Sequence, residues 1–386
     1  MNRAATSRPV LERLGLRFFR RRDERLQDIV PDDDIHVLNE RERQELRRVQ
    51  RGAVLRAGLV GALSAGFVAA VELYGLPALG LTDQAGQGLR FYAALLMLSA
   101  AAAALEIAYL YFDALRSVHN LARAAGLNVR AHGDEEEVAL ALARAALELP
   151  DPREPVFGID PSREVSGWRL LVASALYKAK IAVSSFALKV LLRRALGRAL
   201  VRSWLPFVAV PVTALWNIAI CFKVLKEARL RVMGPSAVRA LLDEVAPQLS
   251  PQAQQVTVRA VAATIVKKHR LHPNHLVLLG EVHRRLGVPQ DLDIDDPEAF
   301  LQSLQDLPAE ETQPVLRIFE AALILDGRLS RRDQRLLEAA ALRGPFPGLE
   351  ERARALRHAF VHGHGLPQRV SSNTDTPMAD PTRARV

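Results

Sequence analysis

Two long apolar runs, set close together, constrain this chain more than any other feature. Residues 53–76 and 91–112 are each long enough to cross a hydrocarbon core of about 30 Å as a helix, which takes about 20 residues. Pro77 and the glycines at 80, 86 and 88 mark a short loop between them. That loop carries one acid, Asp83, and one base, Arg90. The outer flanks differ: Arg41, Arg43, Arg47, Arg48 and Arg51 precede the first run, and Arg116, Arg123 and Arg130 follow the second. Positive charge accumulates on the cytoplasmic side of membrane helices, so the N-terminus and the chain after residue 113 are expected there. Charged residues still make up 25% of the chain beside 49% hydrophobic ones. So much charge predicts a membrane part joined to a soluble part. Alanine and leucine dominate the apolar set, and alternating β-branched stretches are scarce, so the expected fold class is all-α.

The remaining chain divides by composition. Residues 1–52 read as basic N-terminal helices. Within them Leu11, Leu14, Phe18 and Phe19 share one helical face beside arginines, the pattern of a helix lying on a membrane surface or of a solvated tail. Asn39 with Glu42 predicts a capping box, leading into a transmembrane hairpin at 53–113. Residues 114–167 form a connector with a helix at 134–149 and a proline-rich break. A second apolar region covers 168–233. Its last part, 204–225, reads as a span kinked at Pro206 and Pro211. Its first part, 168–196, is ambiguous, because Lys178, Ser185, Lys189 and Arg193 fall on one face. A four-span reading also places Arg193, Arg194, Arg198 and Arg202 outside, against the charge rule. An even number of crossings is expected, with both termini cytoplasmic. Residues 234–362 read as a soluble helical domain and 363–386 as a disordered tail. No cleavable signal peptide is expected, and the single cysteine, Cys221, excludes an intrachain disulfide.

Ionisable groups inside apolar runs are costly and therefore informative. Arg56 and Glu106 are expected to pair, because both lie toward the cytoplasmic ends of their runs. Glu72 is expected to reach the outer interface, and Asn217 to hydrogen-bond between helices. Gly58, Ala62, Gly66 and Ala70 form a stripe of small residues at intervals of four. Such a stripe lets helices approach closely, either between subunits or, as preferred here, between the first and second runs.

In the soluble domain, Asp326-Gly327 leads to Ser330 and Asp333, between an apolar helix ending at Leu325 and another starting at Gln334. The glycine allows a tight turn, and Ser330 with Asp333 predicts a second cap. Over about residues 236–345 this arrangement resembles the TerB-like, tellurite-resistance-type helical domain. That resemblance implies association with stress or envelope functions. Arginines at 328, 331, 332 and 335 argue against a cation at the turn. A shift of 58 residues aligns Lys268–His272 with Asp326–Ser330, as in a duplicated helical hairpin. His269, His272 and His275 have no cysteine or acid to complete a zinc set. No catalytic motif is present, so neither an enzyme nor a cofactor is expected. Basic residues lack the interleaved aromatics of a nucleic-acid surface. The expected partners are anionic headgroups, an unidentified protein and a second copy of the chain. The leading expectation is a bacterial inner-membrane interaction protein. The alternative is a transporter or channel subunit using Arg56, Glu72, Glu106, Lys178 and Asn217.

Overall fold

The computed structural model describes residues 9–23, 35–81, 88–127, 135–149, 156–160, 205–286, 294–344 and 346–366. The described chain is all-helical, with no strand beyond isolated bridges. Its helices are α1 (Val10–Asp23), α2 (Glu40–Ala70), α3 (Gly88–Ala124), α4 (Glu135–Ala146), α5 (Leu205–Val245), α6 (Pro251–Lys268), α7 (Pro273–Leu286), α8 (Pro297–Gln305), α9 (Ala309–Ile324), α10 (Arg331–Leu342) and α11 (Leu349–His362). Three of them, α2, α3 and α5, are long and apolar enough to cross a membrane.

Helix α2 opens with the Asn39–Glu42 capping box. The Asn39 side chain accepts from the Glu42 N–H at 2.9 Å, and Glu42 Oε2 accepts from the Asn39 N–H at 2.8 Å. Toward its other end α2 passes through a π-helical turn, Val71–Gly75, which contains Glu72. Its buried face is made of Ala53, Ala57, Gly61, Ala65 and Ala69, one residue per turn. Leu55, Leu59, Leu63 and Phe67 are exposed on the opposite face.

Gly58 lies against Ile218, Gly61 against Asn217 and Thr213, and Gly66 near Val210. Numbers on α5 fall as those on α2 rise, so the two run antiparallel. Arg56 meets Asp113 and Ser117, while Ser64 and Phe67 further along α2 lie beside Leu98 to Leu105, so α3 is antiparallel to α2 as well. The basic ends of all three helices therefore coincide: Arg48 and Arg51 on α2, Arg116 and Arg123 on α3, Lys223 and Lys226 on α5.

At that basic end stand the other described helices. One continuous core runs from Leu16 and Phe19 on α1 through α4 and lower α5 to Phe360 on α11. At its centre α6 buries almost every side chain from Val256 to Val266, and Phe300 of α8 meets Phe319 of α9 with ring centroids 5.0 Å apart. The expected domain boundary at 233/234 falls inside α5, whose helix continues through Gly234 and Pro235. Gly234 is there because the Asn274 amide packs where a Cβ would stand. The N-terminal segment joins this body too. The Leu38 N–H donates to the Gly363 carbonyl at 2.9 Å, and His36 Nδ1 meets Ser236 Oγ at 2.8 Å. Residues 363–366, expected in a disordered tail, are thus tied to the N-terminal segment, while 367–386 lie outside the described residues.

Candidate functional site

Among the described residues, Arg56 and Glu106 each make a polar contact in the bundle, at different heights. At the basic end, Arg56 Nε donates to Asp113 Oδ1 at 2.9 Å and its Nη2 to Ser117 Oγ at 3.1 Å. Higher up, Asn217 Nδ2 donates to Glu106 Oε1 at 2.8 Å, and both side chains are buried. The expected Arg56–Glu106 pair does not form. Glu106 sits level with Asn217 and Gly61, five residues above Arg56, which is about 7.5 Å along a helix. Asp113, two turns below Glu106 on the same face of α3, meets Arg56 instead. Asp113 was missed because its position next to Phe112 reads as the end of the apolar run.

The small-residue stripe is also rotated and has a different partner. The buried line is Ala57, Gly61, Ala65 and Ala69, whereas Ala62 and Gly66 are half-buried and Ala70 is exposed. Of the expected stripe only Gly58 is buried, and it faces α5 rather than α3. A Cβ at Gly61 would lie 2.5 Å from Asn217 Nδ2 and 3.0 Å from the Thr213 carbonyl, so glycine there makes room for the amide that binds Glu106. A groove of about 330 Å³ lies between α2 and α3, lined by Ser64, Phe67, Leu98, Ala101, Ala102, Leu105 and Glu106. Apart from Ser64 and the Glu106 edge its walls are apolar. Lys178 and the segment 168–196 lie outside the described residues.

The densest polar cluster is in the body, where α5 meets two helical turns. Glu227 Oε1 receives His272 Nε2 at 2.8 Å and Arg231 Nη2 at 2.9 Å. Asn274 Nδ2 donates to the carbonyls of Leu230 and Leu325, both at 2.9 Å. It thereby ties α5 to the turn after α9. At that turn the Lys268 ammonium lies 3.0 Å from Asp326 Oδ1 and 3.0 Å from Asp333 Oδ2. All three side chains are at most 9% exposed. Burial raises the Asp326 pKa, but the Lys268 charge and hydrogen bond outweigh it and hold the carboxyl below its usual range. Asp333 Oδ2 also takes the Ser330 N–H at 2.7 Å, while Ser330 Oγ accepts from the Asp333 N–H at 3.3 Å, closing the capping box. Gly327 has φ +71°, and a Cβ there would lie 2.5 Å from Leu230 Cδ1. The turn therefore packs directly on α5.

His275 is fully buried and donates from Nε2 to the Ala322 carbonyl at 2.8 Å. Burial, with Lys268 and His272 adding positive charge nearby, pushes its pKa down to about 3. Its ring therefore stays neutral, as a structural donor. Among the described residues no group of three or more His, Cys, Asp or Glu is placed to hold a metal ion. Lys268 takes the place between Asp326 and Asp333 that a cation would need. The signal for it was the 58-residue echo: Lys268 and Asp326 are the aligned positions, and they meet. No protein family, curated protein or solved structure matches this chain.

Proposed function

We propose that this chain is a membrane-anchored interaction protein, with α2, α3 and α5 embedded in a bilayer and the helical body at their basic end on the cytoplasmic side. The distribution of exposed large apolar side chains carries the reading. Among the described residues, apart from Val37 and Leu342, all of them lie on α1, on α2 and the turn after it, on α3, or on α5 no further than Phe222. A soluble protein rarely exposes so large an apolar patch. The inverted pattern, small residues inside and leucines outside, is how helices pack where lipid is the solvent.

Helix α5 supports a coupling role. It runs unbroken from the lipid-facing Leu215 and Trp216 to the polar cluster around Glu227 and Asn274. The anchor and the body therefore share one rigid element. Asp160 belongs to the basic end and Leu205 to the opposite end. Under this reading they lie on opposite faces of the bilayer, so the number of crossings is even. The resemblance of the Asp326–Asp333 turn to TerB-like domains favours partner binding by the body. Transport would ask for charges gathered around a water-filled cavity near mid-membrane. Here Arg56–Asp113 and Glu106–Asn217 are separate local pairs, and the groove beside Glu106 is apolar.

Alkaline carbonate extraction of the full-length protein, with reporter fusions after residues 45 and 370, tests this. The expected result is retention in the washed membrane with both reporters cytoplasmic. Release into the supernatant, or reporters on opposite sides, would overturn it. For the interaction role, a photo-crosslinker at Leu342, which is 87% exposed, is expected to give a discrete adduct in cells. Absence of any adduct there and along α11 would count against the body as the binding unit.

A further inference from the structure

Helix α5 gives the body a direction. Its exposed large apolar side chains end at Phe222, and from Glu227 onward it packs among the helices of the body. Two turns meet it just past that border. His272, after α6, reaches Glu227, and Asn274 ties Leu230 to Leu325 at the end of α9. Gly327 rests on Leu230. Both turns therefore stand at the bundle end of the body. The far end is marked by Val245, where α5 stops, and by the Ser250–Glu311 hydrogen bond that joins the starts of α6 and α9.

Charge follows the same axis. At the far end Asp243, Asp306 and Glu310 are exposed. At the bundle end Arg328, Arg331 and Arg332 are exposed, on the turn after α9 and the first residues of α10. Among the described residues none of these three guanidinium groups forms an ion pair. The acids beside them in the chain are engaged, because Asp326 and Asp333 both hold Lys268. Exposed Lys223 and Lys226 on α5 carry the positive charge on from the turn toward the bundle.

Distance selects the partner. Leu230 is eight residues past Phe222, which is about 12 Å along a helix. Headgroups fill about 5–7 Å on each side of the hydrocarbon core. The gap left is shorter than the Debye length of about 8 Å at physiological salt, and arginine side chains reach into it. A basic residue that close to a bilayer gains about fivefold from anionic over neutral lipid. We propose that Arg328, Arg331 and Arg332 rest on the anionic phospholipid headgroups of the bilayer that α5 crosses, holding the body against the membrane with its acidic end outward. This inference rests on the membrane reading above and adds to it a second attachment, made by the body itself.

The full-length protein is placed in lipid nanodiscs of phosphatidylcholine, alone or in equal parts with phosphatidylglycerol. Its arginines are modified with phenylglyoxal, an uncharged reagent, and the rate at each is followed by mass spectrometry. Modification of Arg328, Arg331 and Arg332 is expected to be about fivefold slower in the anionic bilayer. That protection is expected to vanish at about 1 M salt, where the Debye length falls to about 3 Å. Arg284 is exposed near the far end, next to the Arg285 that pairs with Asp243, and is expected to react equally in both bilayers. Equal rates at the three turn arginines in the two bilayers would overturn the proposal. So would slowing of Arg284 as large as theirs, which would mark a general effect of the anionic disc. Stronger protection by soluble polyglutamate in neutral discs than by phosphatidylglycerol would also overturn it, in favour of an acidic protein partner. Release of the protein from alkaline-washed membranes fails the membrane reading and this inference with it, whereas equal rates in a protein retained there fail the inference alone.

Discussion

The bundle and the body are packed by opposite rules. In the bundle, alanine and glycine fill the interface and leucine and phenylalanine face outward; in the body, Phe300, Phe319 and Ile265 are inside. Polar groups differ as well. Among the described residues, the Arg56–Asp113 and Asn217–Glu106 contacts of the bundle are separate from one another, whereas the body has a connected cluster of Glu227, Arg231, His272 and Asn274, with Lys268 between two aspartates beside it. Hydrophobic burial can drive folding only where the alternative is water. The body uses it fully, and its buried polar groups are fixed by several partners. On the membrane reading proposed above, the bundle relies instead on close backbone approach, so single small residues matter there more than large ones.

The sharpest way to break this contrast is at Lys268. Its replacement by methionine keeps the stem but leaves Asp326 and Asp333 buried without their cation. Removing one partner of a buried ion pair costs about 3–5 kcal/mol. Urea unfolding of the full chain in detergent, followed by hydrogen exchange of the α6 and α9 amides, is expected to shift by that amount, with membrane retention unchanged. An unaltered transition would show that the aspartates are held by something else.

His275 comes next. Its folded pKa of about 3 lies below its ordinary value of 6.5, so the unfolded chain binds its proton more readily. Stability of the body is then fully present above about pH 6.5 and falls as pH drops toward 3. The slope from one such group approaches about 1.4 kcal/mol per pH unit. Asp326, whose pKa is depressed, contributes in the other window: its stabilisation is complete above about 3.9 and is lost as pH falls through its folded value. His275→Gln is expected to flatten the profile between about pH 6 and 4 while leaving the drop below it. A slope unchanged by that substitution would rule out His275 as its source.

In the bundle the comparable probe is Gly61→Ala. The added methyl meets the Asn217 amide and the Thr213 carbonyl, and overpacking of this kind costs about 1–3 kcal/mol. Thermal unfolding of the detergent-solubilised W168F/W204F chain, read by Trp216 fluorescence, is expected to move to lower temperature, whereas Ala70→Val on the exposed edge is expected to leave it within error. Equal effects at the two positions would mean that α2 does not meet α5 through Gly61.

What could be read from the sequence was local. Asn39 with Glu42, and Ser330 with Asp333, are caps that a few consecutive residues determine. The apolar runs follow from length alone. The partner of Arg56 depended on how α3 slides against α2, a displacement of about 7.5 Å that no local pattern encodes. The stripe was ambiguous because 57, 61, 65 and 69 are as small as 58, 62, 66 and 70. Gly234-Pro235 looked like a boundary because its tertiary cause, the Asn274 amide, lies 40 residues away in the chain. Lys268 reads as an ordinary basic helix end until its turn is folded against Asp326.

The two capping boxes give the smallest and most direct comparison. Asn39 starts a helix that leads into the bundle, and Ser330 starts one that lies wholly in the body. Their local chemistry is the same: one side-chain oxygen accepts an N3 amide, and one N3 acid returns the bond. Loss of such a cap costs about 1 kcal/mol in a helix whose formation is coupled to unfolding. Ser330→Ala is expected to lower urea stability of the body by about that amount, because Asp333 then keeps only its bonds to Lys268 and the Ser330 amide. Asn39→Ala is expected to do less to the bundle, because the apolar part of α2 begins more than three turns away and, on the membrane reading proposed above, that part has no competing hydration of its backbone. Both shifts can be measured on one W168F/W204F background, the first by hydrogen exchange of the α6 and α9 amides and the second by Trp216 fluorescence. Equal shifts would show that α2 melts as one unit with the body, and that the proposed difference in solvent between the two regions does not reach their helix ends.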